Sequence, residues 1–171
     1  MINTFKQEIF DSMLSTHDDQ IEHAKRLIQF TEGRIYLIGN GASLTMADHF
    51  AIDLCKTCKI KSESLSNSAK MSAYSNDIKF DYIYSEQILI NCKQEDLLIA
   101  ISSSGESKNI INACLEAEKK EMNIITFTGF DKQNSISKFG DVNLYVSSKD
   151  YGVVECAHNI ILHYIINELK K

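Results

Sequence analysis

Four continuous apolar runs, each followed by a segment of helical periodicity, constrain this chain more than any other feature. They are "RIYLIG" (34–39), "DLLIAI" (96–101), "NIITFTG" (123–129) and "VNLYV" (142–146). Strands with one wet face alternate apolar and polar residues; runs that do not alternate belong to strands covered on both faces. Helical patterns follow, at "SLTMADHFAIDLCKTC" (43–58), at 106–120 and from about 151 to 170. Strands alternating with helices predict an α/β fold, a three-layer sandwich around a doubly wound parallel sheet of about five strands. "KIKSESLS" supplies the remaining strand, at an edge. "NSAKMSAYS" reads as a short helix, "FDYIYSEQILINC" as another, and 131–139 as a third.

Ahead of the sheet, Ile2, Phe5, Ile9 and Met13, then Ile21, Ala24, Leu27 and Ile28, fall at helical spacing. One or two amphipathic helices are expected there, with a break around 15–19. A length of 171 residues with 44% hydrophobic content is that of one domain with a real core. Residues 1–171 are therefore read as one unit, with 1–31 as its helical N-terminal segment.

Several classes of function are disfavoured. No apolar run approaches the roughly 20 residues of a membrane span, so no membrane partner is expected. The opening "MINTFKQEIFDS" lacks the apolar centre of a signal peptide, and a cytoplasmic location is expected. A formal net charge of −5, with no basic concentration beyond "CKTCKIK", argues against a nucleic-acid partner. The five cysteines are odd in number and scattered, which favours reduced thiols. Cys55 and Cys58 make a C-x-x-C, but no second pair or nearby histidine completes a zinc site, so they are read as ordinary helix residues.

Doubly wound sheets bind ligands at the carboxyl ends of their strands. Two turns lie there, "IGNGAS" (38–43) and the stretch "AISSSGESKN" (100–109). Small residues such as Gly41 let the backbone approach a ligand. The helix behind each turn aims free amides and its positive dipole end at the same space. Hydroxyls of Ser43, Ser102, Ser103, Ser104 and Ser107 add donors, making a phosphate cradle that needs no lysine. Capping a helix would take one serine, whereas 102–107 holds four. Neither turn fits G-x-G-x-x-G or a Walker A loop, so a dinucleotide or nucleoside triphosphate is not indicated. Glu106 fits such a cradle only with its carboxylate turned outward.

His49 and Asp53 stand four apart on one helix and share a face. Glu155 and His163, eight apart on the last helix, again lie on roughly one side. His158 points to a different face and is expected to be structural or at a subunit contact, and His17 and His23 to be surface residues.

These features resemble the sugar isomerase (SIS) domain family, whose members bind phosphosugars with a serine-rich loop of the form S-x-S-G-x-S. The resemblance is closest to the bacterial phosphoheptose isomerases and spans nearly the whole chain. It takes in the helical N-terminus, "GNGASLTMADHFAIDL", "SNDIKFDYIYSEQI", "ISSSGESKNIINA", "ITFTG" and "VVECAHNIILH". It implies a SIS-type, flavodoxin-like fold and the conversion of sedoheptulose 7-phosphate to D-glycero-D-manno-heptose 7-phosphate, for surface polysaccharide. It implies that Asn40, Gly41, Ser43, Ser102, Ser103, Ser104 and Ser107 hold the substrate phosphate end, while Asn76 and Asp77 bind sugar hydroxyls. Asp53 becomes the base and His163 its acid or base partner in enediol chemistry. His49, Asp53, Glu155 and His163 become ligands of a divalent metal, commonly zinc. Homotetramers with sites that draw on neighbouring subunits are implied as well.

The chain departs from the family in three places. Asp53 stands where a glutamate is usual and is one methylene shorter. Glu155 replaces a glutamine, and "VVEC" (153–156) replaces R-I-Q-E, so an arginine contact is lost. The alternative implied by the family is a non-catalytic phosphosugar-binding protein or a scaffold for the replication initiator DnaA.

Overall fold

The computed structural model describes residues 1–170. Its centre is a five-stranded, wholly parallel sheet of β1 (Ile35–Gly39), β2 (Ser62–Ser64), β3 (Leu97–Ser102), β4 (Asn123–Thr128) and β5 (Val142–Tyr145), in the order β2-β1-β3-β4-β5. Every residue of β1 and β3 is buried, as the unbroken apolar runs demand. The short "SES" strand sits at the edge and pairs only with β1.

Successive side chains of a strand point to opposite faces, and the two faces carry different helices. Ile35, Leu37, Leu97, Ile99, Phe127 and Leu144 pack against α2 (Asp18–Phe30), α3 (Ala42–Lys56) and α7 (Tyr151–Leu169). Ile9 and Met13 of α1 (Ile2–Met13) close the same layer. Tyr36, Ile38, Leu98, Ala100 and Ile124 face α5 (Ser85–Asn91) and α6 (Lys108–Lys119), with Met71 and Tyr74 of α4 (Ser68–Asp77) behind. Each large side chain taken out of water here stabilises by roughly 1.5–3 kcal/mol, so the two clusters together hold the sheet rigid beneath the loops at its carboxyl end.

Two expectations need correction. "FDYIYSEQILINC" is not one helix: a 3₁₀ turn (Phe80–Tyr82) precedes α5, with Ile83 and Tyr84 fully buried between them. Residues 131–139 form no helix at all but a chain of turns. The physical reason lies in the short polar side chains. Asp131 Oδ1 accepts from Gln133 N at 2.9 Å, and Asn134 Oδ1 accepts from Ser137 N at 3.1 Å. Such local bonds compete with the helical ladder and win in a short segment.

Candidate functional site

The strand order reverses between β1 and β3, where a doubly wound sheet opens a crevice at its carboxyl edge. The turns after these two strands are the two singled out in the sequence. Asn40, Gly41, Ala42, Ser43, Ile101, Ser102, Ser103, Ser104 and Ser107 line one cavity of about 280 Å³, and Tyr151 and Glu155 of α7 line it as well.

Local chemistry fixes the turns. At Gly39 an added Cβ would come within 2.5 Å of the Ser43 carbonyl carbon, so only glycine lets α3 start so close to its strand. Tyr84, buried, donates its hydroxyl to Gly39 O, which pins the turn from below. Burial pushes that phenol up to about 12, so it stays a donor. Gly105 takes φ 67° in the second turn. The two turns are tied to each other by a reciprocal amide pair: Asn40 Nδ2 donates to Asn109 Oδ1 at 2.9 Å and Asn109 Nδ2 to Asn40 Oδ1 at 2.8 Å. Asn109 was not anticipated from the sequence, where nothing distinguishes it from an ordinary first-turn residue.

The serines are not spent on capping. Gly41 and Ser107 head α3 and α6 without any side-chain cap bond, and the Ser103 hydroxyl is buried with no partner. Ser102 Oγ accepts from Gly105 N and Ser104 Oγ from Glu106 N, which sets the loop's curvature. Glu106 turns outward as required: its carboxylate accepts from Ser135 N at 2.8 Å and Ser135 Oγ at 2.6 Å. The cavity is therefore floored by amides and hydroxyls from two helix N-termini, the donor set for a dianionic phosphate.

The second group forms further along the helices that start at the cradle. His49 Nε2 lies 3.5 Å from Asp53 Oδ2, and the His49 and His163 rings meet edge to face with centroids 5.3 Å apart. His49 is largely exposed at 59%, while Asp53 retains 24%. Three of the four residues expected to act together are thus brought together on α3 and α7. Glu155 is not: it stands in the cradle, eight residues and about 12 Å of helix rise from His163. Among the described residues, no three His, Cys, Asp or Glu side chains are grouped to hold a metal ion. One chain does not supply the expected four-ligand set.

The remaining expectations sort plainly. Asn76 and Asp77, at the end of α4, are exposed, bond to each other at 2.8 Å and do not line the cavity. Cys55 Sγ turns to Ser62 of β2 while Cys58 Sγ faces Ile166 O of α7, so the C-x-x-C splits, and all five cysteines are free. His158 is fully buried, its Nε2 3.1 Å from Thr128 O, and is structural; His17 and His23 are exposed. No described helix is long and apolar enough to cross a membrane.

Comparison with known proteins follows the same lines. The SIS domain profile matches residues 4–129. The chain is 31% identical to a phosphoheptose isomerase of Campylobacter concisus over 138 residues, covering 77% of this chain and 72% of the relative. It is 30% identical to that of Aliarcobacter butzleri over 168 residues, 93% and 88% of the two chains. The solved structure of phosphoheptose isomerase GmhA from Neisseria gonorrhoeae superposes with a TM-score of 0.85 at 27% identity, over 97% and 92% of the two chains. A phosphoheptose isomerase structure from Francisella tularensis shares the fold at a TM-score of 0.90 and 23% identity, over 99% and 94%.

Proposed function

Since the chain belongs to the SIS domain family, and within it to the phosphoheptose isomerases, we propose that it is an aldose–ketose isomerase that converts sedoheptulose 7-phosphate to D-glycero-D-manno-heptose 7-phosphate. The observation that carries this reading is the cradle: two strand-to-helix turns at the sheet's crossover, with donors left open and no nucleotide fingerprint. The phosphate of the substrate binds on Ser43 and Ser102–Ser107, where amide and hydroxyl donors meet two helix dipoles.

The chemistry needs a base that takes a proton from C1 and returns it to C2, while a second group moves a proton from the C1 oxygen to the C2 oxygen. Asp53 is the base and His163 the partner, passing through an enediol. Ten residues of α3 separate Ser43 from Asp53, a rise of about 15 Å. A seven-carbon phosphate built from bonds of about 1.5 Å spans only roughly 10 Å from phosphorus to C1. Held by its own cradle, the sugar would have to lie fully extended along α3 to bring C1 near Asp53 of the same chain, and a site shared between subunits removes that demand. The proposed site combines the cradle and Glu155 of one subunit with Asp53 and His163 of a neighbour. Ile52 at 58% exposure, and Ile160 and Tyr164 at nearly half, leave an apolar rim around the His49–His163 contact that suits a second copy of the chain. A homotetramer is the assembly this reading expects.

A divalent ion, zinc by expectation, enters only in that assembly, where Glu155 of one subunit would approach the His49, Asp53 and His163 group of another; such an ion would polarise the sugar carbonyl. A cytoplasmic location is part of the same reading and agrees with five free thiols.

The test is direct. The purified full chain, with and without added divalent metal, is incubated with sedoheptulose 7-phosphate and the aldose product followed by chromatography. Turnover that disappears in Asp53→Asn is expected; no turnover under either condition overturns the catalytic reading.

A further inference from the structure

One wall of the cradle has no role in the phosphate chemistry. Tyr151 is the first residue of α7, and 57% of it is exposed even though it lines the cavity. Its position is not left to chance. Asp150 caps the helix by accepting from Val153 N at 3.1 Å, which fixes the first turn. Behind the ring stands Phe130, with centroids 4.7 Å apart and planes tilted by 55°. Phe130 is itself held at both backbone groups, its N donating to Ser148 O at 2.8 Å and its O accepting from Tyr145 Oη at 3.2 Å. The Tyr151 hydroxyl takes no part in any of these bonds. Glu155, one turn on, lies on the same face of α7 and lines the same cavity.

A rigidly backed aromatic ring with an open hydroxyl, next to a carboxylate that accepts hydrogen bonds, suits neither a bare anion nor an apolar ligand. It suits a polyhydroxylated carbon chain, whose C–H edges pack on the ring while its hydroxyls reach the phenol and the carboxylate. We infer that Tyr151 is a specificity-determining residue that reads the sugar chain next to the phosphate, separating phosphosugars from inorganic phosphate and short phosphate esters. The inference rests on the phosphosugar reading of the cradle and adds to it the residue that recognises the carbon skeleton.

The two ideas fail differently in one calorimetric experiment on the whole 171-residue chain. Inorganic phosphate, glycerol 3-phosphate and sedoheptulose 7-phosphate are titrated into the unsubstituted chain, Tyr151→Ala and Tyr151→Phe, with circular dichroism as the folding control. In Tyr151→Ala the affinity for sedoheptulose 7-phosphate is expected to fall by roughly tenfold, with inorganic phosphate unchanged. Tyr151→Phe is expected to keep the ring's share and lose only a few-fold. Equal weakening of all three ligands overturns the inference, because the ring would then only shape the phosphate seat. Unchanged sugar-phosphate affinity in Tyr151→Ala overturns it too, as does a change of oligomeric mass with affinity intact, which would make the ring a subunit contact. Failure of the unsubstituted chain to bind any of the three removes the cradle reading and the inference with it.

Discussion

Gly105 is where the shape of the cradle can be tested hardest. The residue takes φ 67°, and an added Cβ would lie 2.7 Å from Asn134 Cβ and closer still to that side chain's amide. Asn134 is buried and cannot swing aside, because its Nδ2 donates to Asp131 O at 2.7 Å and its Oδ1 accepts from Ser137 N at 3.1 Å. In Gly105→Ala two costs combine. A left-handed backbone for alanine costs about 1 kcal/mol, and forcing a methyl into a packed site costs about 1–3 kcal/mol more. The expected loss is about 2–4 kcal/mol, or roughly 5–15 °C in Tm for a domain of this size. Phosphate affinity should fall at least tenfold, because the amides that follow Gly105 move with it. Denaturant unfolding and phosphate titration measure the two effects. The packing share is isolated by repeating the substitution in an Asn134→Gly background, where only the backbone cost of about 1 kcal/mol should remain. If Gly105→Ala costs the same in both backgrounds, or leaves phosphate binding untouched, the account of the clasped loop is wrong.

Other perturbations address the rest of the molecule. Asp53→Asn should leave the fold intact and lower kcat by roughly 10²–10⁴ while KM changes little, measured by steady-state kinetics; equal loss in KM alone would make Asp53 a binding group. His158 is buried neutral, which holds its imidazole down at about 4 from an ordinary 6.5. The unfolded chain therefore binds the extra proton first, so stability is full above pH 6.5 and falls as pH drops towards 4, by about 3 kcal/mol in all. His158→Gln should flatten that slope in urea unfolding curves taken across the window. Mixed oligomers offer a further check. A cradle-dead Ser102→Val/Ser103→Val chain and a base-dead Asp53→Asn chain, each inactive, should regain activity when unfolded and refolded together, and no recovery would refute a site shared between subunits. Metal analysis of the purified oligomer should find the ion lost in Glu155→Ala if that residue bridges to a neighbour's His49 and His163.

The fold was legible because burial on both faces writes itself into unbroken apolar runs at β1, β3 and β4, while β5, at the sheet edge, is buried only at alternate positions and was legible from its apolar residues alone. The cradle was legible for a similar reason, since backbone approach demands glycine and small hydroxyl residues at strand ends. What resisted reading were features set by single side chains in three dimensions. Residues 131–139 have enough apolar spacing for a helix, yet Asx-type bonds from Asp131 and Asn134 hold them as turns. Spacing placed Glu155 and His163 on one side of α7, but the same eight residues set them about 12 Å apart along the axis, which a reading by helix face alone leaves out. Asn109 and Tyr151 gave no signal, because a first-turn asparagine and a first-turn tyrosine look like any other helix start.

In the proposed shared site, α3 offers its N-terminus to one phosphate and, three turns later, its Asp53 to the reacting carbon of a sugar held by a neighbouring subunit. A substitution on α3 therefore acts on two sites at once, the one its N-terminus builds and the one its middle completes. The shorter reach of Asp53 is set against whatever chain the neighbouring cradle presents, and in that cradle stands Glu155, itself changed from the family's glutamine. In that proposed site the two departures would face each other across the subunit boundary. Replacing Asp53 by glutamate without returning Glu155 to glutamine moves the base into a space whose opposite wall still carries the altered charge. Their effects on kcat/KM are then coupled rather than additive, as expected of groups in contact and unexpected of groups that one chain keeps on separate turns of its helices.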